Sequence, residues 1–438
     1  MTSRRGEMHL ALFLLGTGNH PAGWRLPQAG RSNLDLPLLL RAAQLAERSL
    51  FDMIFVADGL ALSLTDHPSY VARFEPLTLL ATLGAHTTQI GLGATVSTTY
   101  GEPYHVARAF SSLDHLTGGR AAWNVVTTAN PAVAANFSRL DHPEPATRYE
   151  IAGEFVDVVR GLWDGWEDDA LVADRESGLF ADSARIHPLN HSGQYFSVRG
   201  PLSMPRSPQG QPIIIQAGGS PAGRALAART ADVVFAAVQD FDAAKLSYRD
   251  LKSQLASFGR DPASLKVLPG VMPIIGRSKS EALATLDRLQ SFLTPTNALH
   301  LVSIRLGHDI SQYSLDGPVP DLPFTAGTQG FAKGLLEKAR QENMTLRDLY
   351  NLTAAARGHW VLCGTATEVA DTLEQWFVEE AADGFNILPP FFPDAFDDFV
   401  QQVVPELQRR GLFRQSYGGN TLRSHLGLSR PLNQFAAK

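Results

Sequence analysis

An anion of phosphate size has one obvious place to bind in this chain. From Pro212 to Ala237 the sequence reads PIIIQAGGSPAGRALAARTADVVFAA. The β-branched run Ile213 to Ile215, bounded by Pro212 and Gly218-Gly219, is too short for a helix and reads as a buried parallel strand. Ser220 stands where an N-cap belongs, Pro221 takes the first helical position, and Ala222 to Thr230 are good helix formers. With Asp232 to Ala237 as the next strand, the stretch is a βαβ unit. Its glycine turn leaves the N–H groups from Ser220 to Gly223 open to an anion that the helix dipole also favours. A well-capped turn without ligand satisfies the same local pattern.

Other polar residues fall where strands should end: Asp58 after Asp52 to Ala57, Thr95 and Ser97 in Ile90 to Ser97, and Asn124 within Arg120 to Thr127. None is a nucleophile with a base beside it. The thirteen histidines are scattered, with no His-x-x-x-His pair around a helical Glu, so no metal site is expected. His105 and His115 read as structural. A phosphate cradle, neutral hydrogen-bonding groups and no acid–base dyad point to a bound cofactor as the carrier of the chemistry. Asp58 is the strongest single polar candidate, with a salt bridge to Arg73 as its plain structural alternative.

The elements that must position these groups alternate. Met8 to Leu15, Asp52 to Ala57, Ile90 to Ser97, Arg120 to Thr127, Ile213 to Ile215, Asp232 to Ala237, Leu265 to Ile275 and Gly384 to Leu388 read as strands, with helical patterns between them. Eight strands and no Gly-x-Gly-x-x-Gly after the first favour an α/β fold of the closed (β/α)8 type, a TIM barrel, over a doubly wound sheet. In such a barrel the site lies at the carboxyl ends of the strands. The whole chain, 1–438, reads as one barrel domain. Residues 167–211 read as a rim insertion with a hairpin near Gln194 to Val198. Residues 293–328, rich in Pro, Gly, Ser and Asp and poor in periodicity, read as an active-site lid. The tail, 396–438, carries a helix and an arm whose leucines are expected to pack on a partner subunit, making a dimer or tetramer.

Composition excludes several classes. Of 438 residues 44% are hydrophobic, and 38 basic against 44 acidic residues give a charge of −6, so neither nucleic acid nor an anionic membrane surface is an expected partner. The single cysteine, Cys363, excludes an intramolecular disulfide and suits a reducing compartment, the cytoplasm. Met8 to Leu15 follows Arg4 and Arg5, yet its apolar run is short and lacks a small-residue cleavage site, so it reads as a strand rather than a leader.

Four separated motifs are familiar. GEPYHVARAFSSLDHLTGGRAAWNVVTT (Gly101 to Thr128), LLGTGNHPAGWRLP (Leu14 to Pro27), IIIQAGGSPAGR and VVPELQRRGLFR occur in the same order as in the nitrilotriacetate monooxygenase component A group of bacterial-luciferase-like flavin monooxygenases. The chain resembles that group over nearly its whole length. Relatives include dibenzothiophene sulfone and dimethylsulfide monooxygenases and pristinamycin IIA synthase, so the resemblance implies a reaction type and no particular substrate. It implies a barrel that takes reduced FMN from a separate NAD(P)H-dependent flavin reductase, adds O2 to form a C4a-hydroperoxide, and oxygenates a small organic molecule. By the same resemblance Asp58 contacts the flavin, Thr95 and Asn124 lie beside the isoalloxazine, and Tyr149 and Ser220 bind the phosphate. The group's His-Asp-Glu-Arg-Tyr is replaced by His142 to Tyr149 with Pro145 inside, so either His142 or Pro145 stands in the histidine's place.

Three other readings compete. A deazaflavin-dependent oxidoreductase of the same superfamily lacks support from the tail and the WNVVT motif, and a non-catalytic flavin-binding protein would need the same positioning residues. A glycosidase would need two carboxylates at strand ends, and only Asp58 is so placed. Arg25, Arg73 and His20 are candidates for contact with an anionic substrate, or else structural ion-pairing groups.

Overall fold

The computed structural model describes residues 6–436 apart from 65–66, 307, 323–328 and 357. Nine parallel strands form its main sheet: β1 (His9–Phe13), β2 (Met53–Val56), β3 (Gly91–Ser97), β4 (Ala121–Val126), β5 (Ile213–Gln216), β6 (Val233–Ala236), β7 (Lys266–Ile275), β8 (Trp360–Gly364) and β9 (Gly384–Ile387). Eight of them close a ring in which β9 lies between β7 and β1. These are the eight expected from the sequence, and the fold is the closed (β/α)8 barrel. The ninth, β8, was not expected. It pairs with the second half of β7, Val271 to Ile275, while β6 pairs with the first half, Lys266 to Pro269.

Side chains alternate along each strand as the pleat requires. Ala11, Phe13, Phe55, Ile213, Ile215, Phe235 and Met272 share one buried cluster inside the ring, and Leu10, Leu12, Ile54, Leu92 and Trp123 share another beneath the helices. Phe55 sits edge-on to Phe13 and Phe235 at centroid separations of 4.9 and 4.7 Å. The outer helices start where the sequence supplies caps. Glu75 accepts from the N–H groups of Leu77 and Thr78 at the start of α2 (Pro76–Ala85), and Thr365 and Glu368 form a reciprocal capping box.

Two expectations change. The segment 293–328 is not irregular throughout: Pro295–Leu306 is a helix, and with Gln329–Gln341 and Leu346–Ala355 it forms a small helical unit with its own core of Leu299, Val302, Leu335, Leu346, Leu349 and Tyr350. The weak periodicity arises because this helix packs on other helices instead of presenting one stripe to the sheet. Residues 307 and 323–328 of the expected lid lie outside the described residues. The tail leucines pack on their own barrel. Leu422 and Leu426 join the interior cluster at its amino end, and Leu422 approaches so closely that a Cβ on Gly91 would lie 2.5 Å from its Cδ1. The tail therefore gives no argument for a partner subunit. The short strands His191–Ser192 and Ser197–Val198 form the expected hairpin in the 167–211 excursion. Among the described residues no helix is long and apolar enough to cross a membrane, and no group of three metal-ligating side chains occurs.

Candidate active site

A cavity of about 980 Å³ opens at the carboxyl ends of β2 to β5, at the top of the size range for small-molecule sites. One end is formed by Tyr149, Ala217 and Gly218, and the expected N-cap Ser220 stands behind them without lining the cavity. Ser220 caps α5 (Pro221–Thr230), its Oγ accepting from the Gly223 N–H at 3.1 Å and donating to the Tyr149 hydroxyl at 3.2 Å. Tyr149 comes from the first turns of α4 (Pro145–Trp163) and lines the cavity with Gly218. A Cβ on Gly218 would crowd Gly223 Cα at 3.0 Å and Tyr149 Oη at 3.1 Å, whereas one on Gly219 would meet nothing within 4 Å. Only a glycine lets the turn close so tightly.

Thr95 and Asn124 are cross-strand partners on β3 and β4, and Asn124 Nδ2 donates to Thr95 Oγ1 at 2.9 Å. Both are buried, and Asn124 Oδ1 is a buried acceptor with no hydrogen-bond partner within the structure. Such an orphan is costly without a ligand to satisfy it. Asp58 lines the cavity 3.4 Å from Arg73 Nε, so the salt bridge and the cavity position coexist. Burial raises its pKa above the ordinary carboxylate value against the opposing pull of the Gly59 N–H and of Arg73.

His142 does not line the cavity. Its Nδ1 lies 2.6 Å from the hydroxyl of Tyr100, which does. Burial, with Arg148 nearby, lowers the imidazole pKa, and burial raises that of the phenol. Pro145 is merely the exposed first residue of α4. Tyr100 is the residue that sequence reasoning missed, although it lies beside the GEPYH motif. Also missed were Gln216, which lines the cavity while donating to the Val125 carbonyl at 3.1 Å, and Thr128, at φ +42°, whose hydroxyl donates to Ser97 Oγ at 2.7 Å. Arg148 braces that turn through the carbonyls of Thr127 and Thr128.

For Arg25, Arg73 and His20, read in the sequence as either anion contacts or structural groups, the structure shows bonds within the chain. Arg73 is held by Asp58, by the Gly59 carbonyl at 3.2 Å and by the Tyr70 ring. Arg25 donates to the Phe292 carbonyl and stacks on its ring. His20 is fully buried with Nδ1 accepting from the Ala22 N–H, and burial pushes its pKa down to about 3, so it is neutral.

A barrel with this site at its carboxyl end has a match in sequence. Residues 12–384 match the family model for luciferase-like monooxygenases. The chain belongs to that family. This luciferase-like monooxygenase is 47% identical over 440 residues, the whole of both chains, to N-acetyl-S-(2-succino)cysteine monooxygenase of Bacillus subtilis (strain 168). It is 46% identical over 447 residues, 98% of each chain, to nitrilotriacetate monooxygenase component A of Aminobacter aminovorans. Among solved structures, riboflavin lyase with modified FMN and riboflavin matches at a TM-score of 0.85 and 29% identity, over 97% of each chain. The luciferase-like family is thus reached from the strand count, from the separated motifs and from full-length similarity.

Proposed function

We propose that this monooxygenase uses reduced FMN and O2, is fed by a separate NAD(P)H-dependent flavin reductase, and oxygenates a small organic substrate. The observation that carries the reading is a cavity lined by Thr95 on one side and by Tyr149 and Gly218 on the other, with Asn124 bonded to Thr95 and the helix-capping Ser220 bonded to Tyr149 directly behind its wall. The residues fit the cofactor. Ser220, Tyr149 and the N–H groups that open α5 would hold the phosphate. Asn124 would offer Oδ1 to a ring N–H, and Thr95, whose Oγ1 already accepts from Asn124, keeps its proton to donate. Reduced FMN, when bound, supplies the two electrons that leave one atom of O2 in the substrate and the other in water.

The chain's own groups bind, orient and shield. Phosphate contacts lie apart from the reacting centre, so their binding energy can serve to position the ring. Asp58, with Arg73 beside it, stands at the cavity wall, and the Tyr100–His142 pair holds its phenol in one orientation. The described part of 293–328, which packs in the helical unit beside the barrel and does not line the cavity, would serve as a lid that keeps water out by moving over it; Arg25 donates to the carbonyl of Phe292 just before that segment. The reaction belongs in a reducing cytoplasm, where the lone Cys363, its thiol pushed up by burial to about 11, stays inert.

The test is anaerobic titration with oxidised and reduced FMN, followed by admission of air with a substrate panel. Preferential binding of reduced FMN and transfer of one oxygen atom to a substrate is the expected outcome. An absence of binding in both redox states would overturn the assignment. Shortening residues 293–328 should raise hydrogen peroxide release per FMN oxidised, and unchanged coupling would remove the lid from the account.

A further inference from the structure

We propose that the substrate is an uncharged, largely apolar organic molecule and not a polycarboxylate, an inference that rests on the flavin monooxygenase reading of the same cavity. Both relatives named above act on carboxylate-bearing molecules by name, nitrilotriacetate and an N-acetylated succinocysteine. Full-length identity alone would therefore assign this chain an anionic substrate. The cavity argues otherwise.

Among the described residues that line it, none is Lys or Arg. The cations nearby are committed. Arg73 is engaged by Asp58, Arg148 by the Thr127 and Thr128 carbonyls, and Arg139 by the face of Tyr100 at 5.4 Å. The charged groups that do reach the wall are carboxylates, Asp58 and Glu75. A bound flavin phosphate adds further negative charge. A substrate with two or three carboxylates would enter a cavity of its own sign and leave its charges desolvated and unpaired.

One side of the wall suits the opposite kind of molecule, and its other polar groups are neutral hydrogen-bonding side chains such as Ser97, Thr128 and Gln216. Leu60 and Ala61 pack with Tyr100 and Val133 into one apolar cluster, and Phe137 stacks on Tyr100 at 5.0 Å. Asn136 Nδ2 donates to the Leu60 carbonyl at 2.9 Å and so fastens the two wall segments together. The approach is apolar too. Leu62 and Leu64, which flank the lining residue Ser63, are 66% and 72% exposed. An apolar wall and rim held in place by hydrogen bonds favour transfer of an uncharged molecule from water.

The full chain would be loaded anaerobically with photoreduced FMN and dialysed against dibenzothiophene sulfone or nitrilotriacetate, after which air is admitted and products are measured. The sulfone should bind at least about 100-fold more tightly, as expected for leaving even one buried carboxylate unpaired, and nitrilotriacetate should yield only hydrogen peroxide. Leu60→Arg should reduce the preference at least about tenfold by giving the wall a free cation. Equal or tighter nitrilotriacetate binding, its oxygenation, or binding of neither probe to the FMN-loaded protein would overturn the inference while leaving the flavin reading standing. If reduced FMN itself fails to bind, the functional reading falls and this inference with it.

Discussion

The two ends of the barrel handle polar groups in opposite ways. At the amino end four buried aspartates each accept a backbone N–H at the start of a strand: Asp52 from Leu10, Asp114 from Ala121, Asp232 from Ile214 and Asp383 from Val267. Three of them are matched to cations. Asp52 meets His9 at 3.0 Å and Arg414, Asp232 meets Arg423 at 3.2 Å, and Asp383 meets Lys252 at 3.0 Å. Two of those arginines come from the tail. At the carboxyl end the buried side chains Thr95, Asn124 and Gln216 are neutral, and the Oδ1 of Asn124 is left without a hydrogen-bond partner. Charge matched by opposite charge within the chain clamps the fold, and a neutral polar group left with an open acceptor beside a cavity is one a ligand can use.

The sharpest way to break this contrast is to unpair a charge at one end and remove a polar group at the other. Arg414→Met should lower stability by about 3–5 kcal/mol by leaving Asp52 buried without its cation. Asn124→Leu should change stability by no more than about 1 kcal/mol while weakening flavin binding. Denaturant midpoints of the two variants decide it, and equal losses would end the contrast. Next in size is Asp114, the aspartate with only neutral donors, whose pKa burial raises from 3.8 to about 6. Its folded form holds the proton longer than the unfolded chain, so its contribution is full below about pH 4 and is lost as pH rises through about 6, a change of about 3 kcal/mol. Asp52, depressed to about 2, works the other way: its contribution is full above about pH 4 and is lost as pH falls through about 2. Asp114→Asn should flatten the stability profile between pH 4 and 6, and an unchanged slope would refute the assignment.

What was legible in the sequence follows the same division. The eight ring strands announce themselves because both faces are covered, which gives short unbroken apolar runs between turns. β8 did not, since Trp360 to Cys363 are only half buried and the strand extends the sheet along β7 without closing the ring. Ser220 was legible as a helix cap because a serine between a glycine turn and a proline is the local signature of an N-cap. Tyr100 was not, because its partner His142 is 42 residues away and no local period links them. The tail leucines were legible as buried but not as to where. Hydropathy records that Leu422 leaves water and cannot say that the missing side chain of Gly91 makes room for it.

Ser220→Ala sharpens the contrast from the ligand's side. Losing a hydrogen bond to a charged phosphate should weaken FMN binding about 10- to 100-fold, with about 1 kcal/mol lost from the fold through the cap. Titration and denaturation on the same preparation separate the two effects, and a stability loss without an affinity loss would reduce Ser220 to a helix cap.

The smallest expected effect on the fold is also the cleanest probe of the cradle. Gly219 has open space where a Cβ would go, and its φ lies outside the left-handed region, so Gly219→Ala should leave stability within about 0.5 kcal/mol of the parent. Its neighbour Gly218 has no such freedom, because the same change there would press on Gly223 and Tyr149. If the phosphate approaches over the turn, the methyl group at 219 intrudes on the anion and FMN affinity falls with the melting temperature unchanged. If affinity also stays constant, the anion is held by Ser220, Tyr149 and the first N–H groups of α5 alone, and the glycine turn serves only to bring β5 close enough to α5 for that contact.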